Sequence, residues 1–368
     1  MKTLRKLLYA EVLIAVSAVT LAFISLFFFF DFVDELNAVG HGQTSGYSVA
    51  QALIYVSLMI PNHVYELLPI AVLIGSIFVM ARLAQSSEFT ILRTSGLGPW
   101  RALRALLLLG LVFVAVTFAV GDYLAPLADK SAQMLKARFQ GHLTVGKTGA
   151  WVKEKQTYST FSVNVGALEA DGTMRDIRIF ELDNQGRIVS VAQAKQAQFG
   201  PAQSWLLREV VRTEYSGGTQ AGARAITLRH DNFSWLNQIS AEMVASALLR
   251  PDRMGTIDLF QYVRHLEFNG QAAQKYEIQF WKKVFYPLSC LVMMMLALPF
   301  AYMHFRTSGT TSMVFVGVMA GISFVLLNNV MGDLGYLRAW QPWFTAALPG
   351  LIYSLISLAT FGWLVVRQ

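Results

Sequence analysis

Residues Gly141-His-Leu-Thr-Val-Gly146-Lys147-Thr148 satisfy the G-x-x-x-x-G-K-S/T spacing of a phosphate-binding loop. That chemistry needs a buried strand feeding the loop and a helix leaving it, so that backbone N–H groups and a helix N-terminus converge on phosphate. Here an amphipathic helical run, Lys130 to Gln140, approaches the loop, and Ala150-Trp151-Val152-Lys153, which reads as a strand, leaves it. The match at Gly141, Gly146, Lys147 and Thr148 is therefore read as accidental, with Gly146 as a turn residue, and no bound cofactor is expected. The six histidines, at 41, 63, 142, 230, 265 and 304, show no H-x-x-x-H or H-E-x-x-H spacing, and Cys290 is the single cysteine. No metal centre or intrachain disulfide is expected, and no serine sits in a G-x-S-x-G context, so nothing argues for catalysis.

The more informative stretch is Ala84-Gln-Ser-Ser-Glu88-Phe89-Thr-Ile91-Leu92-Arg93-Thr-Ser-Gly96. Ser86 or Ser87 can cap a helix, Glu88 suits its positive N-terminal end, and Gly96 with Pro99 ends it, which predicts a short helix over about 86–96. Phe89 and Leu92 share a face at i, i+3 with Ile91 near it, offering apolar knobs either to lipid headgroups or to a partner. Two further patterns lie in an apolar run. Gly317-Val-Met-Ala-Gly321 allows close helix contact, and Asn328-Asn329 places two amides among apolar residues; they serve packing within the chain, a second membrane subunit, or the edge of a lipid path. Asp31, Asp34 and Glu35 follow another apolar run, where interfacial solvation accounts for them; Glu66 is different, lying between Pro61 and Pro69 in a mostly apolar segment, and is read as close to the outer interface.

These residues must be positioned by a chain of two compositions. Of 368 residues 54% are hydrophobic and only 14% charged, against about a quarter charged in soluble domains. The stretch Asp122 to Lys283 nevertheless holds 36 of the 53 charged residues. The flanks read as membrane and the middle as a water-soluble insert. Six runs are long and apolar enough to span: Val12 to Phe30, Leu67 to Ala81 extended past Glu66, Ala105 to Gly121, Val284 to Met303, Thr307 to Gly332 and Ala339 to Val366. The expected organisation is a membrane block over 1–121, an insert over 122–283, and a second membrane block over 284–368. The first run is too long for a signal peptide and no small-residue cleavage site follows it, so it is read as retained. Nine Lys/Arg fall in the N-terminus, the loop Arg82 to Arg104, the loop around Arg306 and the tail, whereas Asp31 to Glu66 carries none. Both termini are therefore expected in the cytoplasm, with the insert on the opposite side, the periplasm of a two-membrane bacterium. The net charge of +7 is absorbed by this layout, and no nucleic-acid partner is expected.

Within the insert, Asp122 to Arg138 is helical in pattern and a β-rich region runs over about 140–235. Trp151 to Lys155, Thr157 to Val165, Ile177 to Leu182, Arg187 to Gln198, Trp205 to Glu214 and Ala223 to Arg229 are strand-like. Turn signals punctuate them at Asp171-Gly172, Asn184-Gln185-Gly186, Gly200-Pro201 and Gly217-Gly218. That spacing predicts a sandwich or open jelly roll. A helix is predicted from Thr256, as N-cap, through Phe268, and another over Gln271 to Lys283 into the fourth span. The fold class is thus an α-helical polytopic membrane protein, six helices split three and three, with an inserted all-β, jelly-roll-like domain.

With that layout and the loop at 84–96, the chain resembles, essentially end to end, the LptF/LptG permease family of the lipopolysaccharide exporter. Phe32-Val33-Asp34-Glu35-Leu36, the Ser87-Glu88 loop and Gly321-Ile322-Ser323-Phe324 resemble one branch of that family, the partner of LptF-like chains. The resemblance implies a non-catalytic permease subunit in a heterodimer with an LptF-like permease. Two LptB-like ATPase subunits would hydrolyse ATP with Mg, and an LptC-like protein would join. The loop helix would be the coupling helix, with Glu88, Phe89, Ile91, Leu92 and Arg93 docking on the ATPase. The first and fifth spans would gate lipopolysaccharide entry, drawing in Phe30, Phe32, Gly317, Gly321, Asn328 and Asn329. Some family members carry a lysine where this chain has Asp31, so phosphate binding is not carried over to it. A membrane anchor that recruits envelope proteins, or an ABC subunit for another lipid, are the competing readings.

Overall fold

The computed structural model describes residues 2–37, 39, 47–86, 98–140, 149–156, 159–169, 172–200, 204–216, 224–237, 239, 243–244, 254–302 and 310–366. The chain divides into two compact units. One comprises Met1–Glu35, Val56–Asp129 and Glu277–Gln368, and the other Leu36–Tyr55 and Lys130–Tyr276.

The membrane unit is built from α1 (Lys2–Leu36), α2 (Val49–Gln85), α3 (Pro99–Ala119), α6 (Gln274–Phe285), α7 (Ser289–Ala297), α8 (Pro299–Tyr302), α9 (Thr310–Leu337) and α10 (Pro342–Val366). Among the described residues six helical stretches are long and apolar enough to cross a bilayer: Lys6–Leu36, Val49–Gln85, Trp100–Lys136, Gln274–Tyr302, Ser312–Leu337 and Pro342–Trp363. The second and third are longer than the apolar runs alone predict. At 37 residues each they reach about 55 Å, beyond the roughly 30 Å hydrocarbon core, so polar residues continue a helix that has already left it. A π turn at Val120–Leu124 joins α3 to α4 (Ala125–Gln140).

The core of this unit gathers Leu8, Val12 and Val16 of α1, Leu73, Ile77 and Met80 of α2, Leu106 and Phe113 of α3, and Met293 and Met294 of α7. Between helices in lipid the gain is van der Waals packing rather than removal of apolar surface from water, so close approach decides which faces meet. Cys290 lies in this core with its Sγ 3.2 Å from Thr117 Oγ1.

In the other unit, β1 (Ala150–Lys155), β2 (Ser159–Leu168), β3 (Met174–Asp183), β4 (Ile188–Gly200), β5 (Ser204–Ser216) and β6 (Arg224–Leu236) form one antiparallel meander in sequence order. Alternation buries Val163, Val165, Ile177, Ile179, Ala194, Leu207 and Val210 on one face, with Trp205 buried among them. The Trp205 indole N–H donates to the Ile239 carbonyl at 3.0 Å, and its ring meets Trp235 edge-on at 5.4 Å. Gly172 and Gly186 take positive φ at the predicted turns. A row of residues, Gly166, Asp176, Lys195, Glu209 and Asp231, drops out of the paired register across five strands. Asp176 and Glu209 are left-handed there, at φ 52° and 51°. The pairs on either side of the row keep the same register, so no strand gains a residue there.

Two expectations are corrected. The last strand runs past Arg229 to Leu236, because an edge strand exposed along most of its length needs no apolar alternation and the polar His230-Asp231-Asn232 does not interrupt it. The helix α5 (Thr256–Phe268) starts where predicted, but Gly255 holds the extended N-cap position and Thr256 is its first helical residue.

Candidate functional site

The first and fifth spans are the least buried of the six among the described residues. On α1, Leu8, Val12 and Val16 recur every fourth residue and are buried. Against them α2 places Gly75, where a β-carbon would lie 2.8 Å from the Val16 backbone nitrogen, so the two helices approach closely only because that side chain is missing. Arg82 pairs with Glu11 at 2.7 Å, and the Tyr9 hydroxyl donates to the Ala105 carbonyl at 3.0 Å, closing the same end. No residue between Val16 and Glu35 is buried. Leu26, Phe29, Phe30 and Val33, at i, i+3, i+4 and i+7, form a bare stripe on which Phe29 is 60% and Phe30 55% exposed. Phe32 is half-buried and stacks on Phe28.

The loose half of α1 is held to α2 by a polar contact. His63 Nε2 lies 2.5 Å from Asp31 Oδ2, and the Phe27 ring packs 5.1 Å from the imidazole. Asp31 is thus engaged by a histidine of its own chain rather than presented bare to the surroundings. Nearby on α2, Asn62 donates to the exposed Glu66 carboxylate at 3.0 Å. The Tyr286 hydroxyl donates to the Glu66 carbonyl at 2.5 Å and its ring lies 5.0 Å from Tyr65. Buried Lys283 donates to the Gly121 carbonyl at 3.4 Å and faces the Tyr65 ring at 6.0 Å.

On α9 the two glycines face inward. A β-carbon at Gly317 would come within 2.7 Å of Ile77 Cδ1, and one at Gly321 within 2.9 Å of Ile70 Cγ2, so this close contact is made with α2 of the same chain. Phe324 is buried edge-on to Tyr353. The opposite face, Phe315, Met319, Ile322, Leu326 and Val330, is an apolar stripe on which Leu326 is 59% exposed. Asn328 is half-buried toward α6 and α10, whereas Asn329 is exposed. The structure therefore brings Gly317 and Gly321 to α2, leaves Phe30 bare on α1, and separates the two asparagines.

Glu88, Phe89, Ile91, Leu92 and Arg93 lie outside the described residues, as do Gly141, Gly146, Lys147 and Thr148. The flanks of each are described. α2 ends at Gln85, and Gly98, in extended conformation, caps α3, its carbonyl accepting from the N–H groups of Arg101 and Ala102 at 3.0 Å. Around residues 141–148 the order is helix α4 then strand β1, the reverse of the strand–loop–helix order that a phosphate loop requires.

The Asp31–His63 contact, Gly75 and buried Lys283 were not legible as site residues in the sequence. His63 belongs to no motif and its partner is 32 positions away; Gly75 sits in an unbroken apolar run; Lys283 reads as the last charge of the insert.

The family model "Lipopolysaccharide export system permease LptF/LptG" matches residues 6–363. A Haemophilus influenzae protein named lipopolysaccharide export system permease protein LptG is 26% identical over 369 residues, covering all of this chain and 99% of that protein. The LptG protein of Escherichia coli K12 is 28% identical over 341 residues, covering 92% of this chain and 90% of its own length. Six apolar spans divided around a six-stranded insert, two of them carrying bare apolar stripes, and a match running almost from end to end place this chain in the LptF/LptG family of lipopolysaccharide export permeases.

Proposed function

We propose that the chain is one half of a two-permease path that takes lipopolysaccharide sideways out of the inner membrane, using ATP hydrolysed by a separate partner. Membership of the family carries the export role. The observation that supports the route is the pair of bare apolar stripes on α1 and α9. A lipid with several acyl chains must enter from the leaflet, between helices. Helices that pack on their own chain along only one edge can part from a neighbour without opening a core. α1 suits this: one half is locked against α2 at Val16 and Gly75, the other is held by Asp31 and His63. Its carboxylate being occupied by His63, Asp31 is left out of lipid-phosphate contact.

In this reading an LptF-like permease completes the path, one of two LptB-like ATPase subunits docks at Glu88, Phe89, Ile91, Leu92 and Arg93, and an LptC-like protein joins the assembly. ATP and Mg belong to the ATPase. Both termini are cytoplasmic and the insert is periplasmic, a placement supported by the basic residues concentrated at the N-terminus and the loop-side ends of the spans.

A photoreactive amino acid placed at Phe30 or at Leu326 should crosslink to lipopolysaccharide or to the second permease in intact cells, whereas one at buried Ile77 should label only this chain. Absence of both products at both exposed positions would overturn the route.

A further inference from the structure

A cavity of about 240 Å³ lies within the membrane unit between α6–α7, α9 and α10, away from the bare stripes of α1 and α9. Its wall includes Phe285, Val292, Phe324 and Gly350, with Lys282 and Asn328 as polar members. Lys282 reaches α9 because Gly332 has no side chain; a β-carbon there would overlap the lysine, at 2.7 Å from Cε. Gly332 lies five residues before the end of α9 at Leu337, about 8 Å in along the helix, and Phe324 lies about 12 Å deeper. Trp340 and Trp343, at the turn between α9 and α10, mark the depth where aromatic rings sit in the interface. The ammonium is therefore at headgroup depth and the apolar walls run down into the hydrocarbon beneath it. Asp333 offsets part of the lysine's charge, and an ammonium has three hydrogens to donate.

From this order we propose that the cavity seats one acyl chain of an anionic phospholipid, with its phosphate on Lys282. The volume is below the roughly 300–1,000 Å³ typical of drug-sized ligand pockets, so it admits no more than one acyl chain, and the second chain of a phospholipid stays in the bilayer. A two-chain lipid leaves one chain outside such a cavity whereas the exported substrate would leave several, so a membrane phospholipid is the occupant proposed, and the site does not depend on the gate assignment.

The test uses the full-length chain purified with the proteins that accompany it, exchanged into nanodiscs of phosphatidylcholine and phosphatidylglycerol in equal amounts, with retained lipid counted by native mass spectrometry. Wild type should retain phosphatidylglycerol in preference. Lys282→Gln should lower that preference about fivefold, the contribution of one lysine facing an anionic lipid surface, and Lys282→Arg should keep it. At Gly350 a β-carbon would meet nothing within 4 Å, so Gly350→Leu should fill the cavity without strain and lower retention of both lipids. Equal retention of the two lipids by wild type, an unchanged preference in Lys282→Gln, or lipopolysaccharide as the species displaced by Gly350→Leu would each overturn the proposal. So would a crosslink from a cysteine at Ser354 to a partner polypeptide instead of lipid.

Discussion

A β-carbon at position 75 would press on the Val16 backbone, which cannot swing aside as the far end of a flexible side chain could. Gly75→Ala should therefore push α1 from α2 and lower stability by about 1–3 kcal/mol, as overpacking does. Thermal unfolding in detergent would show it, against Gly362→Ala, where nothing lies within 4 Å of the added carbon. At the other end of α1, His63→Ala removes the partner of Asp31. A hydrogen bond to a charged group contributes about 1.5–3 kcal/mol, so amide exchange over residues 26–34 should speed up while the segment around Tyr9 stays protected. Equal protection of residues 26–34 in wild type and His63→Ala would mean that the contact does not hold the loose half of α1. Neither residue announces itself in the sequence: a glycine in an apolar run and a histidine outside any motif become informative only beside the atoms they meet.

Among the elements, the strands were the most legible. Each of the six falls on a run of β-branched and aromatic residues, and the glycines at 172 and 186 turn the chain where their freedom at positive φ is needed. The row from Gly166 to Asp231 was not legible, because it is defined by pairing between strands and no single strand carries its signature. The helix α5 ties to the sheet through Asn269, which accepts the Lys155 backbone N–H at 2.8 Å and donates to the His265 carbonyl at 2.9 Å. Burial pushes the His265 imidazole below its ordinary value, so the folded state keeps it neutral. The unfolded chain binds that proton near pH 6.5, so this contribution is fully present above about pH 6.5 and is lost as pH falls below it. Amide protection in α5, corrected for the intrinsic exchange rate, should fall from about pH 7 to about pH 5, and His265→Gln should flatten the dependence; an unchanged profile would remove His265 as its cause.

At the scale of the whole molecule, the chain is a transporter subunit whose driving force is proposed to come from the ATPase at the 86–96 loop. Leu92→Asp puts a charge on the apolar face of that loop, and the ATPase should then be lost from the purified complex while the chain keeps its thermal stability. Retention of the ATPase at wild-type levels would move the docking site elsewhere. The sequence by itself determined the six spans, the β insert between the third and fourth, and the family, because each depends on local composition, periodicity or a contiguous run of residues. Only the tertiary structure decided which face of each span is covered. Gly317 and Gly321 could serve an inward or an outward contact until Ile77 and Ile70 were found against them. Asp31 read as an interfacial charge until His63 closed on it. In lipid no solvent contrast separates an apolar face that packs from one that stays bare, so the choice rests on shape complementarity between residues tens or hundreds of positions apart.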